Sequence, residues 1–149
     1  MRLPIDDGRC FACGPENPIG LHLAFEAAPS GDGVHATLEL APQFQGWSGV
    51  AHGGVAMALL DEAMAHAAGA AGYRGVTASM NVRFRKPVPI GASLEIFGRV
   101  AWRRRNVLGL EASVRDASGA LLAQAEGSFV SMGSIEAVRD RRNPASNRV

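Results

Sequence analysis

The sequence predicts an α+β domain in which one long helix is wrapped by a curved antiparallel sheet, in the order β-β-α-β-β-β-β. Three observations predict it. Residues 48–69, SGVAHGGVAMALLDEAMAHAAG, are apolar almost all round, as in a helix covered on most of its sides. Stretches with a period of two stand before and after that helix. Clusters of Gly, Pro, Asp and Ser separate those stretches, and such clusters mark turns.

The elements follow in order. Residues 1–20 are rich in Gly, Pro and Asp and read as a structured arm. LHLAFEAA (21–28) places Leu21, Leu23 and Phe25 on one face, which predicts a strand. PSGDG is a turn, and GVHATLEL (33–40) alternates again through Val34, Ala36, Leu38 and Leu40. APQFQGWSGVA is an irregular loop that carries aromatics; the helix then runs to about Gly69 and ends in GAAGYRG. In VTASMNVRFR (76–85), Val76, Ala78, Met80, Val82 and Phe84 share one face, and Thr77, Ser79, Asn81, Arg83 and Arg85 the other. Strands are predicted at 92–103, 107–116 and 120–131, with a hairpin turn at RRN and a turn at ASG. The last stretch, 133–149, is polar, arginine-rich and without periodicity. The expected organisation is an arm (1–20), one domain (21–132) and a tail (133–149), with no internal repeat.

Composition narrows the function classes. The 149 residues suit a single domain with a real core. With 47% hydrophobic and 19% charged residues and a formal net charge of +1, no strong field draws the chain to nucleic acid or anionic lipid. MRLPIDDGRC has no apolar segment of the kind a secretory signal needs. Acids and His66 interrupt the central apolar run, so it does not span a bilayer. The expectation is a cytoplasmic protein with no nucleic-acid and no membrane partner.

The two cysteines, Cys10 and Cys13, stand in CFACG. A zinc site usually takes four ligands, and no second CxxC or His pair follows at finger spacing. A redox pair normally sits between strand and helix of a βαβ unit, not in a loop. A disulfide suits a reducing compartment poorly. Two reduced, packed thiols remain as the plain reading, with no metal and no cofactor expected.

The helix raises the chemical question, because Asp61 and Glu62 lie in its apolar middle. Glu62 is four residues before His66, so the two can pair on one face. Asp61 shares its face with Met57, Ala58, Met64 and Ala65, none of which is a partner. A buried, unpaired carboxylate costs several kcal/mol or is driven to protonate. Asp61 is therefore either a functional acid or paired at a polar subunit interface. The helix opens on His52-Gly53-Gly54. Its free N–H groups and positive dipole end suit an anion or a polarised carbonyl oxygen, and glycines allow close approach. The plain alternative is a glycine turn into a helix. Asp61 lies on the order of 10 Å along the axis from Gly53. The two can cooperate on one small group only across a two-fold interface, with Gly53 of one subunit facing Asp61 of the other.

Other candidates are weaker. Ser48 and His52 suggest a Ser–His pair, but GWSGV does not match the G-x-S-x-G elbow. His22 and His35 read as exposed strand residues. RFRK (83–86) and RRR (103–105) read as solvated turns or as phosphate-binding groups.

Taken together, GVAHGGVAMALLDEAM, TASMNVRFRKPVPIGA and the leading CFACGPENPIGLHL resemble the hotdog-fold acyl-CoA thioesterases, nearest the PaaI-like branch of the thioesterase superfamily. The resemblance covers roughly residues 10 to 131. It implies a hotdog fold and a homodimer or a homotetramer made as a dimer of dimers, with active sites at subunit interfaces. It implies that His52 orders the loop, that the Gly53 N–H polarises the thioester carbonyl, and that Asp61 is the catalytic base or nucleophile. Thr77 and Ser79 fall where relatives place a hydroxyl near that carboxylate. One position departs from the pattern: several relatives carry an asparagine where this chain has Gly46, which leaves Gln43 or Gln45 to take over its role.

A thioester carbonyl is activated, so one carboxylate and one oxyanion donor are enough for hydrolysis. The implied acyl pocket is lined by Gly54, Phe44, Trp47 and Met57, and the CoA phosphates lie near Arg83, Arg85 and Lys86, or else near Arg103–Arg105. Three rivals stand beside the acyl-CoA thioesterase. The first is a non-catalytic acyl-CoA-binding or regulatory hotdog protein, which gains nothing from a buried acid. The second is a hotdog dehydratase or hydratase, whose motifs are not found here. The third is a metal or redox module built on Cys10 and Cys13.

Overall fold

The computed structural model describes residues 6–134. The helix forms where the apolar run predicts it, as α1 (Gly53–Ala70). Around it lies one six-stranded antiparallel sheet. Its strands are β1 (Glu26–Ala27), β2 (Val34–Glu39), β3 (Tyr73–Phe84), β4 (Ser93–Arg104), β5 (Val107–Asp116) and β6 (Leu121–Ser134). The order across the sheet is β1-β2-β4-β5-β6-β3. Strands β4, β5 and β6 join by short hairpins, while β3 returns to pair with β6. The element order is the predicted one, with a 3-10 turn at Pro42–Phe44 added in the aromatic loop. The predicted tail lies outside the described residues from residue 135 on, and β6 continues to Ser134.

The core forms between helix and sheet. Ala56, Leu59, Leu60, Ala63, Met64, Ala67 and Ala68 are the buried residues of α1. They pack against Val34, Ala36, Leu94, Ile96, Leu108, Ala112, Val114, Ala123 and Phe129 from the concave face of the sheet. Closest approach is at β4, where a Cβ on Gly98 would stand 2.3 Å from the Ala63 carbonyl oxygen. Only glycine lets helix and strand meet there.

The strand expected over residues 21–28 shortens to the two residues of β1. His22 takes a positive φ of 51°, which interrupts the alternation. Leu21 and Leu23 still turn into the core, but their N–H groups donate to the carbonyls of Phe11 and Ala12. The arm thus closes over the helix as an irregular layer, with Ala12 buried. His35, expected on an exposed face, is half-buried with its ring 3.6 Å from Glu95.

One face of α1 keeps its residues accessible. Gly53, Met57, Asp61 and Ala65 recur every four residues and form that stripe, and none of the four is buried. The neighbouring stripe, Glu62 and His66, is covered by the arm and by Phe25, whose ring stacks on His66 at 4.7 Å.

Candidate active site

The N-terminus of α1 is built by its cap. His52 is the N-cap residue, and its Nδ1 accepts a hydrogen bond from the Gly54 N–H at 2.9 Å. A Cβ at Gly54 would press on that ring at 3.1 Å, so the ring would have to shift by a few tenths of an ångström to admit one. No hydrogen bond joins His52 to Ser48 among the described residues. The Gly53 N–H has no hydrogen-bond partner among the described residues. A Cβ on Gly53 would meet only the Phe84 ring, at an ordinary 3.8 Å. The fold of the single chain therefore does not require glycine at 53, and the position leaves a free donor in open space.

The loop before the cap is held from within. The His52 N–H donates to the Phe44 carbonyl, and the Gln45 side chain accepts from the Gly49 N–H at 3.2 Å. A Cβ at Gly46 would lie 3.1 Å from the His52 Cα. A side chain there would press on the capping residue. Of the aromatics expected around an acyl pocket, Phe44 packs edge-on to Phe11 at 6.4 Å. Trp47 is 88% exposed, and Met57 is exposed on the open stripe beside Asp61.

Asp61 is half-buried in the single chain rather than buried, and its partner comes not from the helix but from the strand where the resemblance puts a hydroxyl. Thr77 donates its hydroxyl to Asp61 Oδ1 at 2.7 Å. Ser79, expected on the same strand face as Thr77, instead pairs with Ser128 at 2.7 Å. The cause is a β-bulge. Thr77 pairs with Phe129 and Ser79 with Ser128, so Ala78 is an extra residue in β3. One extra residue reverses the alternation. Thr77 is thereby aimed at the helix and Ser79 at the outer face.

The same reversal carries Arg83 outward. Arg83 and Arg85 line an open groove of about 490 Å³ with Asn81, Glu111, Arg115 and Glu126. This groove contains neither Gly53 nor Asp61. Phe84, between the two arginines, turns its ring to Gly53. Lys86 lies close enough to Asp116 to help lower its pKa, chiefly set by the Ser118 hydroxyl. Arg103 packs over the Tyr73 ring at 4.9 Å, at the other end of β3 from Phe84.

Glu62 is paired as its spacing predicts, with His66 Nε2 3.1 Å from Oε1. Burial raises its pKa, but the hydrogen bonds from His66 and Cys13 outweigh it, and the group lies below its ordinary value. The cysteines were not expected here. The Cys10 Sγ is 3.9 Å from Glu62 Oε1. Burial pushes the Cys13 thiol up, and the Glu62 carboxylate beside it adds to the shift. No sequence pattern joins residues 10 and 13 to residue 62; only the closing of the arm does so.

The family model described as the thioesterase superfamily matches residues 48–123. No curated protein matches significantly. Among solved structures, a thioesterase superfamily protein is 27% identical with a TM-score of 0.78, covering 87% of this chain and 68% of its own. The Escherichia coli PaaI protein from the phenylacetic acid degradation operon is 19% identical with a TM-score of 0.69, over 76% of this chain and 82% of its own. A Streptococcus mutans protein bound to acetyl-CoA is 21% identical with a TM-score of 0.68, over 75% and 90%. The fold is the hotdog fold that the sequence predicts.

Proposed function

Because the chain belongs to the thioesterase superfamily, we propose that it hydrolyses an acyl-CoA thioester to the free acid and CoA, with Asp61 as the reacting carboxylate. The observation that carries this reading is the Thr77 hydroxyl on Asp61 Oδ1. It fixes one oxygen of the carboxylate and leaves Oδ2 with no hydrogen bond among the described residues. A carboxylate held this way can take a proton from water or attack the carbonyl carbon itself. The Gly53 N–H, free at a capped and positive helix end, supplies the oxyanion donor. His52 acts by holding that end in place. Tetrahedral collapse then expels the CoA thiolate, giving the free acid when water attacked, or an acyl–Asp61 anhydride that water then hydrolyses when the carboxylate attacked.

The site is completed by a second copy. Gly53 and Asp61 share the open stripe but stand roughly 12 Å apart along the axis. In an antiparallel pair, Gly53 of one protomer meets Asp61 of its partner, which gives two sites per dimer. The edges of the sheet support such a pairing. At one edge β1 is two residues long, while at the other β3 offers 12 residues to a neighbour. Long unpaired edges are otherwise a liability. Exposed Val76, Phe84 and Met57 lie near that edge or on the open stripe, and a partner would cover them. Phe44, Trp47, Met57 and Gly54 border the acyl group. The CoA passes around the edge strand, so that its phosphates reach Arg83, Arg85 and Lys86 beyond Phe84.

A panel of aromatic, short-chain and medium-chain acyl-CoA esters, with CoA release followed as free thiol, tests this reading. Turnover of at least one class is expected. Binding of these esters without release of CoA from any of them would instead establish a binding protein.

A further inference from the structure

We propose that Cys10, Cys13 and Glu62 form a binding site for a thiophilic divalent cation, zinc by preference, that clamps the N-terminal arm onto the central helix. One ligand atom from each residue lies within 4.8 Å of the others. In a tetrahedral zinc site with Zn–S near 2.3 Å and Zn–O near 2.1 Å, neighbouring sulfurs stand about 3.8 Å apart and sulfur and oxygen about 3.6 Å apart. The Cys10 Sγ is already 3.9 Å from Glu62 Oε1, so small side-chain rotations complete the geometry.

The local chain is built for chelation. Two residues separate the cysteines, a spacing that lets one turn present both sulfurs to one ion. The turn is closed by the Gly14 N–H on the Cys10 carbonyl at 2.8 Å. A Cβ at Gly14 would lie 2.4 Å from the Cys10 nitrogen, so only glycine fits. The carboxylate is oriented by a further hydrogen bond, as metal-binding carboxylates usually are. His66 holds Oε1, and its own ring is fixed by stacking on Phe25. Paired thiolates select zinc over magnesium or calcium, which prefer all-oxygen sites. Water takes the fourth position, since Cys10 is exposed. On binding, both thiols lose their protons to solvent and the sulfurs bond to the ion without any redox change. The sequence predicts no metal because it shows one ligand pair only; the third ligand arrives from 52 residues away.

The test uses the full chain, stripped with a chelator and titrated with zinc or cobalt(II). One ion per chain is expected, with a sulfur-to-cobalt charge-transfer band. Zinc should slow the reaction of both thiols with a disulfide reagent. Cys10→Ser and Cys13→Ser should each weaken the band and the binding, with far-UV circular dichroism confirming the fold. His66→Gln should keep the stoichiometry and lose about 10–100-fold in affinity. Thiols that react equally fast with and without zinc in the unmodified protein would overturn the proposal. So would a cobalt complex without the sulfur band, or full zinc affinity in Glu62→Gln. None of these readouts depends on thioester hydrolysis.

Discussion

Thr77 and Ser79 are two residues apart and chemically alike, yet the bulge at Ala78 gives them different tasks. Thr77 touches Asp61, and Ser79 touches Ser128. Thr77→Val should lower kcat by roughly 10–100-fold, the range expected for losing a hydrogen bond to a charged group, with little change in KM. Thr77→Ser should restore most of it, and Ser79→Ala should leave steady-state kinetics nearly unchanged. Equal losses at both positions would contradict the assignment. The alternation of the strand was legible in the sequence, but the bulge was not, because no residue at 77–79 marks an extra unpaired position. The two helix acids were legible through spacing alone: Glu62 has His66 four residues on, and Asp61 has nothing along the helix. Glu62 also makes a pH prediction. Its folded pKa lies below the ordinary 4.5. A lowered carboxylate stabilises the fold above its unfolded pKa and loses that contribution as pH falls through the folded one. The difference in melting temperature between wild type and Glu62→Gln should shrink as pH falls below about 4.5.

At the scale of elements, α1 follows from its apolar run, and β2, β4, β5 and β6 follow from a period of two that turns one face to the core, while in β3 the bulge at Ala78 switches that face. The segment 21–28 does not follow in this way, since its apolar residues are buried by an irregular arm while its N–H groups bond to residues 11 and 12. Apolar spacing reports burial, not the ladder, and His22 breaks the ladder. Two glycines separate packing from propensity. Gly98 lies under the helix with no room for a methyl group, so Gly98→Ala should cost about 1–3 kcal/mol and lower Tm by several degrees. Gly69 is helical with nothing within 4 Å of an added Cβ. Gly69→Ala should therefore stabilise by about 0.5–1 kcal/mol. Thermal melts of both variants check the pair. Similar shifts in the same direction would show that the helix does not press on β4 as described.

For the whole molecule, two features among the described residues bear on the proposed pairing: a 12-residue strand ends the sheet without a neighbour, and the stripe holding Gly53 and Asp61 is uncovered. Light scattering should give at least twice the 15.6 kDa chain mass. A stable and active monomer would remove the shared site. If Arg83, Arg85 and Lys86 hold CoA phosphates, neutralising them should raise KM for acyl-CoA more than it lowers kcat, and should spare a truncated thioester that lacks the nucleotide. Unchanged KM values would place the phosphates elsewhere. The sequence led to the expectation of assembly through the distance between a glycine and an acid and through the family resemblance; the strand order adds the β3 edge at which the proposed partner would pair. The central claim is that Asp61, and not its neighbour Glu62, performs the chemistry. It is tested most directly by comparing hydrolysis of one good acyl-CoA substrate by Asp61→Asn and Glu62→Gln, with melting measured alongside. Asp61→Asn should fold and lose about 10²–10⁴-fold in kcat, while Glu62→Gln should lose stability and keep most of its turnover. Near wild-type hydrolysis by Asp61→Asn would contradict the account.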